Sequence, residues 1–115
     1  MAKLSLDDVF LALGDPTRRA VVCRLGTGAA SVTDLAAPFA MALPSFMKHL
    51  GVLERSGLIR TQKQGRTRIC ELQPATLRGV ETWMADQRAL WESRSDRLAH
   101  YVESLHAKEK THGRR

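Results

Sequence analysis

Between residues 43 and 56 the apolar side chains Leu43, Phe46, Leu50 and Leu53 recur at spacings of three, four and three, and beyond Gly57 that period disappears. At about 100° per residue, the four share one face of a helix. The other face carries Pro44, Ser45, Lys48, Val52 and Arg55, with His49 on its flank. Gly57 suits the left-handed position that ends many helices. The next two runs, Leu58 to Lys63 and Thr67 to Leu72, favour β-structure. Gln64-Gly65-Arg66 between them has the composition of a hairpin turn. Any fold for this chain must therefore join a two-faced helix directly to a hairpin.

Upstream, Ser5-Leu6-Asp7-Asp8 predicts a capped helix start, followed by the apolar stripe Leu6, Val9, Phe10 and Leu13. Asp15-Pro16 opens a second helix, because aspartate caps and proline suits the first turn. Ser31-Val32-Thr33-Asp34 opens a short third one, which Pro38 stops. Downstream, Pro74 begins a long helix expected to reach about His106. There Leu77, Val80, Met84, Trp91, Leu98, Tyr101 and Leu105 keep near-heptad spacing, widened by Trp83, Leu90 and Val102. The chain reads as mainly α with a small β-hairpin. A short helix, a tight turn and a second amphipathic helix make a helix-turn-helix, and the basic hairpin after them makes it winged. One domain over residues 1–107 is expected, with 108–115 a basic, disordered tail.

The formal net charge of +6 over 115 residues points to a polyanionic partner. The excess is local. Residues 58–72 hold Arg60, Lys63, Arg66 and Arg68 against Glu71, and residues 108–115 hold four basic side chains against Glu109. No run approaches the ~18 apolar residues of a membrane span, and Asp7 and Asp8 interrupt the apolar run that a signal peptide needs at the N-terminus. A soluble, cytoplasmic protein without a membrane partner is expected. Cys23 and Cys70 form no CxxC pair, so reduced thiols packed as small hydrophobes are expected. They form a redox pair only if the fold brings their Cα atoms within about 7 Å. No Ser-His-Asp grouping, metal motif or glycine-rich phosphate loop supports an enzyme.

The run from Leu35 to Ile59, LAAPFAMALPSFMKHLGVLERSGLI, resembles the ArsR/SmtB transcriptional regulators. So do Leu13-Gly14-Asp15-Pro16-Thr17-Arg18-Arg19 ahead of it and Gly65-Arg66 in the hairpin. The resemblance covers about residues 5–105, and its most specific part is Lys48-His49-Leu50, Leu53 and Gly57-Leu58. It implies a homodimeric winged helix-turn-helix repressor of promoter DNA, dimerising through the first and last helices. Leu6, Phe10, Met84, Trp91, Leu98 and Tyr101 would form that interface. In such a motif the second helix enters the major groove, which puts Pro44, Ser45, Lys48 and His49 toward double-stranded DNA. Arg66 and Arg68 on the hairpin would reach a phosphate or the minor groove, and Arg18 and Arg19 either touch the DNA backbone or pair with acids. Phe46 and Met47 read as core or its rim. Ala42 stands where the family commonly has a capping Ser or Thr, and Met47 where it often has a serine.

Many such regulators release DNA on binding a metal or another inducer. Ser31 and Thr33 occupy the positions of one branch's Cys-x-Cys pair and are poor ligands for soft metals. In the other site, Arg88 and Ala99 stand where histidines belong. No metal and no cofactor are expected, and the inducer is unknown. Asp96, His100 and Glu103 share one helical face and read as a solvated polar row. Trp83 and Trp91 read as dimer core or the lining of an inducer pocket. Two alternatives remain: a protein-interaction module with little DNA binding, and a thiol-switched repressor using Cys23 and Cys70.

Overall fold

A computed structural model describes residues 5–112. Its elements are α1 (Leu6–Leu13), α2 (Pro16–Leu25), β1 (Ala30–Ser31), α3 (Val32–Ala36), α4 (Leu43–Arg55), β2 (Ile59–Gln64), β3 (Thr67–Leu72) and α5 (Pro74–His112). The chain divides into two units, one ending at Val80 and the other beginning at Glu81. Helix α5 starts in the first and continues as the second.

The helix starts follow from their caps. Ser5 Oγ accepts from the Asp8 N–H at 3.3 Å, Asp15 Oδ2 from the Arg18 N–H at 3.0 Å, and Ser31 Oγ from the Asp34 N–H at 3.1 Å. Each bond satisfies a donor that the first helical turn leaves without an intrahelical partner. Helix α4 begins at Ala42, which forms no side-chain cap, and has proline in its first turn.

The core of the first unit is built from all of its helices. Val9 and Ala12 of α1, Val21 and Leu25 of α2, Leu35 of α3 and Phe46, Leu50 and Leu53 of α4 are buried together. Leu58, Ile59, Cys70 and Val80 join them, and α1 packs on both α2 and α4. Phe39 and Phe46 stack tilted, with ring centroids 5.4 Å apart. Leu43, expected on this apolar face, is instead 56% exposed. Helical side chains lean toward the N-terminus, so Leu43, the first residue of α4, projects past the helix end, ahead of the buried Phe46.

The hairpin pairs antiparallel with Gln64 opposite Thr67, leaving a two-residue turn at Gly65-Arg66. Gly65 has φ +63, the conformation a primed hairpin turn demands at its first central position. A third strand was not expected from the sequence. β1 pairs with β3, Ala30 opposite Cys70 and Ser31 opposite Ile69, and the sheet order is β1-β3-β2. Two residues are too few to show strand alternation, and their partners lie far along the chain.

Helix α5 continues to His112, beyond the end expected near His106. Of the expected tail, residues 113–115 lie outside the described residues. From Glu81 onward its side chains are almost all exposed, including Met84, Leu90, Trp91, Leu98, Tyr101, Val102 and Leu105.

Candidate nucleic-acid interface

Helix α4 presents to solvent the face that its periodicity assigns to it. Pro44, Ser45, Lys48 and Arg55 are exposed, while Met47, Gly51 and Val52 are half-buried at its edges. Pro44, Met47, Lys48, Gly51, Val52 and Arg55 line a shallow groove along the helix.

His49, expected beside them, is turned to another task. Its Nδ1 lies 3.1 Å from Arg18 Nη1 and 3.7 Å from Asp15 Oδ2. Arg18 also donates through Nε to the Ala12 carbonyl at 2.7 Å and through Nη2 to the Leu11 carbonyl at 2.9 Å. Arg19 donates to the Leu13 carbonyl at 2.8 Å. The two arginines thus supply donors to carbonyls in the last turn of α1, where the Leu11 carbonyl also accepts from the Gly14 N–H at 3.2 Å. The Gly14-Asp15-Pro16 turn between α1 and α2 makes this possible, because it folds the first turn of α2 back beside the last turn of α1. Arg18 therefore ties α1, α2 and α4 together. The Arg18 backbone N–H holds the Asp15 carboxyl below the usual carboxylate range; partial burial opposes this, and the charges of His49 and Arg18 and the Thr17 N–H assist it.

The far end of α4 aims the hairpin. Ser56 caps the helix and Gly57 follows with φ +82. Its N–H donates to the Glu54 carbonyl at 3.0 Å and that of Leu58 to the Leu53 carbonyl at 3.2 Å, the paired bonds of a Schellman turn. The Thr76 hydroxyl donates to the Gly57 carbonyl at 2.6 Å, tying the first turn of α5 to the same place. A Cβ at position 57 would lie 3.2 Å from that hydroxyl oxygen. Thr61 Oγ1 on β2 donates to Glu54 Oε1 at 3.0 Å, a second link between α4 and the hairpin.

Within the hairpin, Arg60 pairs with Glu71 directly across the ladder. Lys63 faces Arg68 in the same register, and Arg66 stands in the turn; all three are exposed. Two cations directly opposite each other destabilise a sheet. Lys63 was not among the site residues expected from sequence, although a two-residue turn at Gly65-Arg66 already places it opposite Arg68.

Leu6 of the expected dimer interface is partly buried against the core. Phe10, Met84, Trp91, Leu98 and Tyr101 are exposed, Trp91 by 67%. Both cysteines are free, Cys23 exposed and Cys70 buried. Burial pushes the Cys70 thiol up, the nearby Glu54 charge adds to this, and Arg68 works against it. Among the described residues no group of three His, Cys, Asp or Glu side chains is placed to hold a metal ion, and Asp96, His100 and Glu103 lie on an exposed helix surface. No described helix is long and apolar enough to cross a membrane.

Residues 13–62 match a family model described as a helix-turn-helix domain. Over 78 residues the chain is 36% identical to an HTH-type transcriptional regulator, Rv2034, of Mycobacterium tuberculosis, covering 68% of this chain and 73% of that one. Over 79 residues it is 30% identical to the transcriptional repressor SdpR of Bacillus subtilis, covering 69% of this chain and 88% of that one. The fold is similar to the crystal structure of an ArsR family transcriptional regulator, with TM-score 0.73 and 57% identity over 76% of this chain and 96% of the other.

Proposed function

This chain belongs to the ArsR/SmtB-type winged helix-turn-helix transcriptional regulators, and we propose that it is a repressor that binds operator DNA as a homodimer. Each copy of α4 enters a major groove, the two about one helical turn apart, while the hairpins lie on the flanking backbone. Ser45 and Lys48 address base edges or phosphates, Pro44 lies against the groove wall, and Lys63, Arg66 and Arg68 address phosphates. His49 acts from behind, holding α4 through Arg18. The observation that carries this reading is the Lys63–Arg68 pair. A like-charge pair set into a ladder costs stability in the free protein, and an adjacent phosphate removes that cost.

Dimerisation is supported by the large apolar side chains exposed on α1 and on α5, with Phe10 on the one and Met84, Trp91, Leu98 and Tyr101 on the other as contact residues, while Leu6 of α1 is partly buried against the core. So many large apolar groups on one helix face mark an interaction surface. Ser31 caps α3 through its hydroxyl, and Thr33 lies beside it in the same short helix. Neither offers a thiolate, so the soft-metal site of the resemblance has no ligands here. Repression without a metal follows, at a cytoplasmic promoter.

The test is fluorescence-anisotropy binding to duplex from upstream of the chain's own gene, against a scrambled duplex, at two salt concentrations. Tight, sequence-preferring binding that weakens steeply with salt is expected, since each neutralised phosphate releases counterions. Equal, weak binding to both duplexes would favour a protein-interaction module. Loss of binding with zinc or with oxidant would instead name a metal or thiol switch.

A further inference from the structure

The outward face of α4 is poor in the side chains that read bases by paired hydrogen bonds. Guanine is read by Arg or Lys, adenine by Asn or Gln, and cytosine by Asp or Glu. Along residues 43–52 the exposed and half-exposed positions are Leu43, Pro44, Ser45, Met47, Lys48, Gly51 and Val52, with His49 engaged by Arg18. Only Ser45 and Lys48 can hydrogen-bond outward. The remainder is apolar, and Leu43 at its leading end is more than half exposed.

Gly51 makes the face concave. Glycine inside a helix is unfavourable relative to alanine, and Gly51 is not among the positive-φ glycines, so no backbone conformation calls for it. A Cβ there would meet only the guanidinium end of Arg55, at 3.2 Å, which can move aside. What the missing side chain leaves is the floor of the groove between Pro44, Met47, Lys48, Val52 and Arg55.

The major groove of DNA carries one apolar feature on its base edges, the C5-methyl group of thymine. The cations Lys48 and Arg55 along the groove, and the basic hairpin of the same unit, suit a polyanion as the occupant better than an apolar protein segment. We infer that α4 selects its operator chiefly through thymine methyl groups, received by Met47 and Val52 over the open floor at Gly51 and by Leu43 at the exposed leading end of the helix. The inference rests on the DNA-binding reading above and names what that reading recognises.

The test replaces thymine by deoxyuridine, which removes the methyl and leaves every base-pairing group in place. Full-length protein first selects a preferred duplex from a random-sequence library. Each thymine of that duplex is then replaced singly and binding is measured by anisotropy. At one or more thymines in each half-site the affinity should fall about four-fold, the worth of a single buried methyl. That ratio should shrink toward one in Leu43→Ala and Met47→Ala, with both variants still folded by circular dichroism. Gly51→Ala should bind the thymine duplex more weakly while melting no lower than the parent, a combination that a purely structural glycine would not produce. If a preferred duplex emerges but deoxyuridine is tolerated everywhere, or the ratio survives in the variants, the inference is wrong while the DNA reading stands. If no duplex is preferred, both fall. A change of oligomeric state in Leu43→Ala by sedimentation would assign this face to a second copy and overturn the inference.

Discussion

Arg18 and His49 meet at 3.1 Å, 31 residues apart in sequence, and through that contact the chain's first two helices grip α4. The same guanidinium takes two carbonyls of α1. Arg18→Ala should therefore cost about 1.5–3 kcal/mol in denaturant unfolding, the range for hydrogen bonds to a charged group. Asp15 adds a pH dependence. Its folded-state pKa lies below the ordinary aspartate value, so its stabilisation is fully present above that value and is lost as pH falls through the folded one. Asp15→Asn keeps a competent cap without the charge. The difference in melting temperature between parent and Asp15→Asn should narrow as pH falls below about 4, and a difference that did not change with pH would place its origin elsewhere.

On the hairpin, stability and binding should move in opposite directions. Removing one of two facing cations, as in Lys63→Gln, relieves repulsion and should stabilise the fold by about 0.2–1 kcal/mol. The same change should weaken every duplex alike. Arg66→Ala with Arg68→Ala should do so more strongly, lowering the slope of log affinity against log salt by about two. A salt slope unchanged in the double variant would remove the hairpin from the interface.

Ser45 and Lys48 are exposed on the α4 face. Ser45→Ala and Lys48→Ala should change which sequences are preferred, with a lost base contact worth about 1–3 kcal/mol. Selection from a random-sequence library with each variant is the direct measurement. Identical preferences in parent and variants would reduce both residues to backbone contacts.

Ala42 leaves the start of α4 without a side-chain acceptor. Ala42→Ser should raise stability by about 0.5–2 kcal/mol, because the hydroxyl can accept from the first helical turn. Thermal unfolding checks this.

Leu98 is 64% exposed on α5. Leu98→Glu, or Met84→Glu, should convert the proposed dimer to monomer in sedimentation and weaken operator binding with it. A dimer intact in both variants would move the interface off α5.

Most elements were legible because their causes are local. A capping side chain lies three residues from the N–H it serves, and a helical or strand period repeats within a few turns. The caps at Ser5, Asp15 and Ser31, the apolar side of α4 through Phe46, Leu50 and Leu53, the Gly57 stop and a turn at Gln64-Gly65-Arg66, of which the structure leaves Gly65-Arg66, could all be read that way. The outward residues Pro44, Ser45 and Lys48 followed from the same period, as did Arg66 and Arg68 from the turn.

What the sequence determined by itself was the order of elements and which faces carry charge, since both depend on spacing within one segment. Only the tertiary structure decided where each face's edge residues go. Leu43 keeps the helical phase of the core yet lies in solvent, because burial needs a neighbouring element and along that face burial begins only at Phe46. His49 keeps the phase of the polar flank yet turns to Arg18, because a basic side chain held by two α1 carbonyls stands within hydrogen-bond reach. β1 exists only because β3 supplies its partners. Each depends on a group distant in the chain, and no local period encodes which distant group the folded chain will bring near.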